Sequence, residues 1–216
     1  MIQTSVICPL CLSSDSHHFF KDRLRDYLRC DQCQLISVPP KFHLNAEDEK
    51  AQYDHHENNP NDSGYRKFLS RLADPLLQRL APSSQGLDFG CGPGPCLSVM
   101  LEEQGHSVSL YDLYYADNRS LFKQQYDFIT ATEVIEHLAS PITELQRLWE
   151  LLKPGGYLGL MTKLAGDVEK FANWHYKTDP THISFFSQQS FEYLGELWGS
   201  APLIIGADVI IFHKPQ

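Results

Sequence analysis

The sequence predicts an α/β fold: a mostly parallel sheet with helices on both faces, closed by a C-terminal antiparallel hairpin and preceded by a small cysteine module. Three observations carry this. Strand-like and helix-like segments alternate from Gly86 to Phe212, and alternation builds a parallel sheet because each crossover helix must return over a sheet face. A glycine-rich turn, Leu87-Asp88-Phe89-Gly90-Cys91-Gly92-Pro93-Gly94, joins the first of these strands to the first helix that follows. Four of the six cysteines lie in the first 33 residues as two Cys-x-x-Cys pairs.

The cysteine module comes first, over residues 1–38. Two-residue spacers in Cys8-Pro-Leu-Cys11 and Cys30-Asp-Gln-Cys33 let each pair aim both thiolates at one ion, and two pairs complete a tetrahedral shell. A closed four-thiolate shell has no open position, so the expected zinc is structural. Strands are expected near His17–Lys21 and Tyr27–Cys30, making this a zinc ribbon. Residues 39–63 are polar and rich in turn formers (Asn58-Asn59-Pro60-Asn61-Asp62-Ser63), and read as a loop or lid linker.

The main domain is placed at 64–216. Phe68, Leu69, Leu72, Leu76, Leu77 and Leu80 form one helical stripe over Tyr65–Leu80, with a break or kink at Asp74-Pro75. Strands follow at Gly86–Phe89, Ser107–Tyr111, Tyr126–Ala131 and Gly156–Met161. Helices are expected over Pro95–Gln104, Pro141–Leu152 with Ser140 as N-cap, and Ser187–Trp198. Leu203–Ile205 and Val209–Phe212 form the closing hairpin.

Composition narrows the function. With 216 residues and 12% aromatics the chain can bury a real core, which excludes disorder. The longest apolar stretch, Leu203 to Phe212, is too short for a membrane span, and no signal peptide is visible, so the expected location is cytoplasmic. A formal net charge of −9 disfavours a nucleic-acid partner, because phosphate neutralisation needs clustered cations. The one local basic excess, Lys21, Arg23, Arg25 and Arg29, is interrupted by Asp22 and Asp26 and reads as a solvated strand face.

The glycine turn carries the chemistry. Glycines let the backbone turn tightly and pass close to a ligand with its amides exposed. Asp112 ends the next strand about 20 residues on, where a carboxylate can accept both hydroxyls of a ribose. Asp88, just before the turn, suits a cationic group such as the ammonium of S-adenosylmethionine.

At these residues the chain resembles the class I S-adenosylmethionine-dependent methyltransferases. LDFGCGPG, Asp112, YDFITATEVIEHL, LKPGGYLGLMT and the closing hairpin occur in the family's order over residues 64–216. The whole chain is similar to small bacterial methyltransferases with an N-terminal four-cysteine module. The resemblance implies a Rossmann-like sheet and a cofactor held by Asp88, Phe89, Gly90, Cys91, Gly92, Gly94, Asp112, Leu113, Thr132 and Glu133. It also implies methyl transfer to an oxygen or nitrogen acceptor. Only thirteen residues (113–125) separate the second strand from Tyr126, so the family's third strand is expected to be missing or vestigial. Leu113, Tyr114 and Tyr115 then become candidates for stacking on adenine. That sheet edge should be covered by the cysteine module or a second subunit.

His182, His137 and Glu133 are the candidate catalytic residues. If Glu133–His137 is helical, Glu133, Glu136 and His137 share one face. With His182 they resemble the Glu-x-x-Glu-His plus distal His set of small-RNA 2′-O-methyltransferases and of some ubiquinone-pathway O-methyltransferases. Such a set implies either a Mg or Mn ion or a structural and acid–base role. A histidine base predicts activity that falls below about pH 6.5. Tyr53, His56, Asn58, Tyr65, Trp174 and His175 are candidates for the acceptor pocket. A small-molecule acceptor is favoured and a protein acceptor fits the charge. A non-catalytic adaptor binding a protein partner, or an RNA methyltransferase, are the alternatives.

Overall fold

A computed structural model describes residues 6–55 and 58–216. In the cysteine module, β1 (Ser16–Lys21) pairs antiparallel with β2 (Asp26–Cys30), and β2 with the short β3 (Ile36–Ser37). The fourth strand of this sheet, β8 (Ser184–Phe185), comes from far along the chain: Ile36 pairs with Phe185 and Ser37 with Ser184. The two parts of the sequence are therefore joined by a shared sheet.

The main sheet has six strands, β4 (Gln85–Phe89), β5 (Ser107–Tyr111), β6 (Tyr126–Thr132), β7 (Leu152–Met161), β9 (Leu203–Ile205) and β10 (Val209–His213). Their order is β5-β4-β6-β7-β10-β9. The first four run parallel, while β10 runs antiparallel to both β7 and β9. From β4 the chain goes to one side (β5) and then to the other (β6). That reversal opens a crevice at the carboxyl end of β4, where open α/β sheets bind their ligands.

The helices follow from apolar spacing. In α2 (Ser63–Leu77) the buried Leu69, Leu72, Ala73 and Leu76 fall on one stripe, capped by the Asp62 carboxylate on the Tyr65 amide at 2.8 Å. The helix runs through Pro75 instead of breaking there. So close to the C-terminal end, the missing N–H and the ring disturb only the last turn. On the opposite face lie α4 (Pro141–Leu151) and α6 (Gln188–Trp198), with Trp149 and Trp198 stacked at 4.6 Å. Ser140 does not cap α4 through a backbone amide; its hydroxyl pairs with Thr143 Oγ1 at 2.9 Å. The remaining helices are α1 (Ala46–Tyr53), α3 (Cys96–Glu102) and α5 (Val168–Ala172).

Two expectations change. The segment 39–63 contains α1, because the Asn45 side chain accepts from the amides of Glu47 (3.0 Å) and Asp48 (2.9 Å) and three acids complement the positive helix end. The edge beyond β5 is not covered by the cysteine module. Among the described residues no strand lies beyond β5; 113–125 holds a 3-10 turn at Arg119–Lys123, whose Phe122 ring sits 4.6 Å from Tyr111. Leu10, Leu35 and the buried cysteines instead join one apolar cluster with Phe186 and Phe191. That cluster draws the module to the β8–α6 side. No helix among the described residues is long and apolar enough to cross a membrane.

Candidate functional site: a cleft over the glycine turn and a four-cysteine cluster

The two Cys-x-x-Cys turns have matching backbones. Leu12 and Gln34 sit at φ 62° and 57°, and their amides return to the carbonyls of Cys8 (3.0 Å) and Cys30 (3.1 Å). The four Sγ atoms lie within 4.8 Å of one another, with Cys8–Cys33 at 3.5 Å and Cys11–Cys30 at 3.3 Å. A disulfide would need roughly 2.05 Å. A tetrahedral zinc with Zn–S of about 2.3 Å gives an Sγ–Sγ edge of about 3.8 Å. The all-sulfur donor set and its spacing fit that ion.

Above the carboxyl end of β4 opens a cleft of about 1270 Å³. Its floor is the glycine turn, pinned to β5 by the amides of Gly90 and Cys91 on the Tyr111 carbonyl (2.7 and 3.2 Å). Glycine is required here by space as well as torsion. At Gly90, φ is 75° and a Cβ would stand 2.4 Å from Val134 Cγ2; at Gly94 it would stand 1.9 Å from the Asn58 carbonyl oxygen. Asp112 closes one side. Its Oδ2 accepts from the Gly92 amide at 3.0 Å, and its Oδ1 from the amides of Tyr114 (2.8 Å) and Tyr115 (3.2 Å). Asp88 is buried beneath, where Thr130 Oγ1 donates to its Oδ1 at 2.8 Å. Burial pushes the Asp88 carboxyl up to about 6, with the Asp112 charge adding to the rise.

The opposite wall begins at Glu133, which leaves β6 at φ 53° with its amide on the Met161 carbonyl at 2.8 Å. A left-handed Glu is a strained conformation that the surroundings must hold. The following turn, Ile135–His137, is 3-10, so Glu133 does not share a helical face with Glu136 and His137. The Tyr176 hydroxyl brings the two acids together, donating to Glu136 Oε1 and lying 3.3 Å from Glu133 Oε2. Burial pushes both carboxyls well above the usual range, and the Glu136 charge pushes Glu133 further. Glu133 Oε1 and Glu136 Oε2 are buried without a hydrogen-bond partner among the described residues.

Next to them stands His182, 7% exposed, donating from Nδ1 to the Tyr176 carbonyl at 2.7 Å. That bond fixes the neutral tautomer and leaves Nε2 as an acceptor, 3.9 Å from Asp179 Oδ2. Burial and the nearby His137 pull His182 down to about 4. An acid limb set by His182 therefore lies below pH 6.5. The His137 ring is 4.7 Å from His182 and 5.2 Å from Tyr53.

Ligating atoms of Glu136, His137 and His182 fall within 4.8 Å of one another. Glu133, expected as a fourth member, is outside that group because it precedes the turn. Phe89, Cys91, Leu113, Thr132, Tyr53, Asn58, Tyr65 and His175 line the cleft as expected. Trp174 does not; it packs on Phe171 and Tyr176 at 5.8 and 5.0 Å. His56 lies outside the described residues. Tyr114 and Tyr115 turn their hydroxyls to α1, onto Glu49 and Asp54 at 2.7 Å each. Tyr176, which with Phe171 and Trp174 the sequence offers as an acceptor wall, lines the cleft, whereas sequence reading missed Glu49 and Lys163, which line it too. No spacing links them to the motifs, and only Glu49 had a findable signal, the acidic first turn after Asn45.

The family model described as a methyltransferase domain matches residues 61–199. The ubiquinone biosynthesis O-methyltransferase of Shewanella pealeana is 28% identical over 86 residues, 40% of this chain and 36% of that protein. The matched segment thus spans about a third of the length of such curated relatives. A solved structure of 1,6-didemethyltoxoflavin-N1-methyltransferase from Burkholderia thailandensis has bound 1,6-didemethyltoxoflavin and S-adenosylhomocysteine. It is 17% identical, with a TM-score of 0.52, over 94% of this chain and all (100%) of that one. A Methanococcus maripaludis protein, a candidate S-adenosyl-L-methionine-dependent methyltransferase, is 16% identical with a TM-score of 0.54, covering 81% of this chain and 94% of that one. At such identities the structures share the fold.

Proposed function

Since the chain belongs to the methyltransferase-domain family, we propose that it transfers a methyl group from S-adenosylmethionine to an oxygen or nitrogen of a small-molecule acceptor. One observation carries this reading: the glycine turn and Asp112 are tied together by the Gly92 amide at 3.0 Å, at the mouth of the reversal crevice, with buried Asp88 below. Asp112 is assigned the ribose hydroxyls, and Asp88 with the turn amides the methionine end. Leu113 faces the base, taking the place of a third-strand contact.

The reaction is an in-line displacement. The acceptor's lone pair forms the new bond to carbon, the S–CH3 bond breaks, and the sulfonium leaves as neutral S-adenosylhomocysteine. The acceptor proton needs a base, and His182, which lines the cleft, keeps Nε2 as an acceptor because Nδ1 donates to the Tyr176 carbonyl. Alignment of the two reactants by the surrounding walls supplies much of the rate. Glu133 and His137 border the same space, as do Tyr53, Asn58, Tyr65 and His175. The four-thiolate cluster is assigned a structural zinc.

A second reading adds a Mg or Mn ion on Glu136, His137 and His182. It is favoured by the buried Glu136 Oε2, which has no hydrogen-bond partner among the described residues. Such an ion would polarise an acceptor oxygen. Titration with Mn followed by electron paramagnetic resonance tests it: binding lost in Glu136→Gln supports it, and no binding beyond the cysteine cluster removes it.

The test of the reading is S-adenosylhomocysteine release with separate small phenol, catechol and amine acceptors, a protein extract and RNA. Turnover with a small acceptor, abolished in His182→Ala, is the expected result. Turnover with RNA or protein alone moves the acceptor class, and none with any of them leaves the adaptor reading. The Asp88 environment gives a further expectation. Its carboxyl sits at about 6 without ligand, and a bound ammonium favours the ionised form. Binding should therefore release a proton near pH 6, and affinity should fall roughly tenfold from pH 7 to pH 5. Calorimetry across that range checks it, and Asp88→Asn should flatten the profile.

A further inference from the structure

Arg25 lies in the turn just before β2, far in sequence from the cleft, yet it is 7% exposed. All five N–H groups of its planar fork are engaged. Nη1 donates to the carbonyls of His182 (2.9 Å) and Pro180 (3.2 Å), and Nη2 to those of Asp179 (3.1 Å) and Lys177. Nε donates to the Tyr27 hydroxyl at 3.2 Å. Tyr27 in turn donates to Asp22 Oδ2 at 2.7 Å, and Asp22 Oδ1 accepts from the amides of Leu24 and Arg25, both at 2.8 Å. The fork is thus held from its own side of the interface before it reaches across.

Four carbonyls drawn to one guanidinium fix four peptide planes. Because a trans peptide points its N–H opposite its C=O, the intervening amides must face away from Arg25. The amides of Thr181 and Ile183 do so, donating to Asp179 Oδ1 (2.8 Å) and to the Glu136 carbonyl (2.9 Å). The Thr181 carbonyl meets His137 Nδ1 at 3.3 Å. No carboxylate among the described residues lies within ion-pair distance of Arg25, so backbone dipoles balance its buried charge. An apolar side chain would fill this position with less desolvation. What the arginine adds is a defined path for the backbone of 177–182.

We infer that Arg25 is a positioning residue for the acceptor side of the cleft. Through it the cysteine module holds Asp179 and His182 in register with Glu136 and His137. This rests on the acceptor reading of that wall. A lysine keeps the charge but has three donors on one point, and cannot bridge four carbonyls.

The experiment compares full-length Arg25→Lys and Arg25→Met with the parent by amide hydrogen exchange, zinc content, S-adenosylhomocysteine affinity and the His182 Cε1–Hε1 resonance at pH 7.5. Expected in both variants is exchange over 178–183 faster by roughly tenfold or more, with the His182 resonance displaced. Zinc should stay at one per chain and affinity within about twofold. Unchanged exchange at 178–183 overturns the inference. So does acceleration spread evenly over β4, β6 and α3, which marks a loss of global stability alone. Should Arg25→Met not fold, Arg25→Lys retains stem and charge and carries the comparison. A parent protein that fails to bind S-adenosylhomocysteine refutes the cleft assignment, whereas the exchange pattern alone decides the role of Arg25.

Discussion

Replacing Cys30 by Ser, or stripping the proposed zinc with a chelator, is expected to destabilise the entire chain and not only its first 38 residues. Cys8, Cys30 and Cys33 are at most 2% exposed and share an apolar cluster with Leu145, Leu148, Phe186 and Phe191, which come from far along the chain. Ser190 Oγ donates to the Cys33 carbonyl at 2.9 Å, and β3 pairs with β8. Without the proposed ion, mutually close thiols would be left inside that cluster with no charge to balance their ionised forms. Structural zinc contributes about 10–16 kcal/mol in small finger peptides, comparable to the whole 5–15 kcal/mol stability of a typical domain. Losing even about 5 kcal/mol would lower Tm by roughly 10–20 °C in a chain of this size. Calorimetry with parallel metal analysis checks it. An unchanged Tm in zinc-free protein would show that the cluster packs without its ion.

The second large effect is expected at Asp112. Its carboxylate carries three backbone amides that shape the glycine turn and the start of 113–116. Asp112→Ala removes the proposed ribose acceptor and frees Gly92 at once. Hydrogen bonds to a charged group are each worth about 1.5–3 kcal/mol, so affinity for S-adenosylhomocysteine should fall roughly 10- to 100-fold. Asp112→Asn, which keeps one acceptor oxygen, should fall between. Equal affinity in all three proteins would place the nucleoside elsewhere.

Much of this site was legible because its chemistry is local. Glycine spacing, Asp88, Asp112 and the cysteine pairs each depend on a few neighbouring residues. Counting the residues between Asp112 and Tyr126 was enough to foresee a sheet with one strand fewer. The misses are non-local or conformational. Helix α1 has no apolar stripe, so periodicity was blind to it. The positive φ of Glu133 took that acid off the face expected for it. Arg25 read as part of a solvated basic face, yet it is buried among carbonyls supplied by 177–182. Tyr176 joins Glu133 and Glu136 across some forty residues of sequence, which no motif encodes.

Isothermal titration of the parent protein with S-adenosylhomocysteine at pH 7.5 bears most directly on the cleft. One equivalent is expected to bind per chain with a micromolar Kd, weakened in Asp112→Ala. No binding at concentrations up to about 1 mM, or binding indifferent to that substitution, would contradict it.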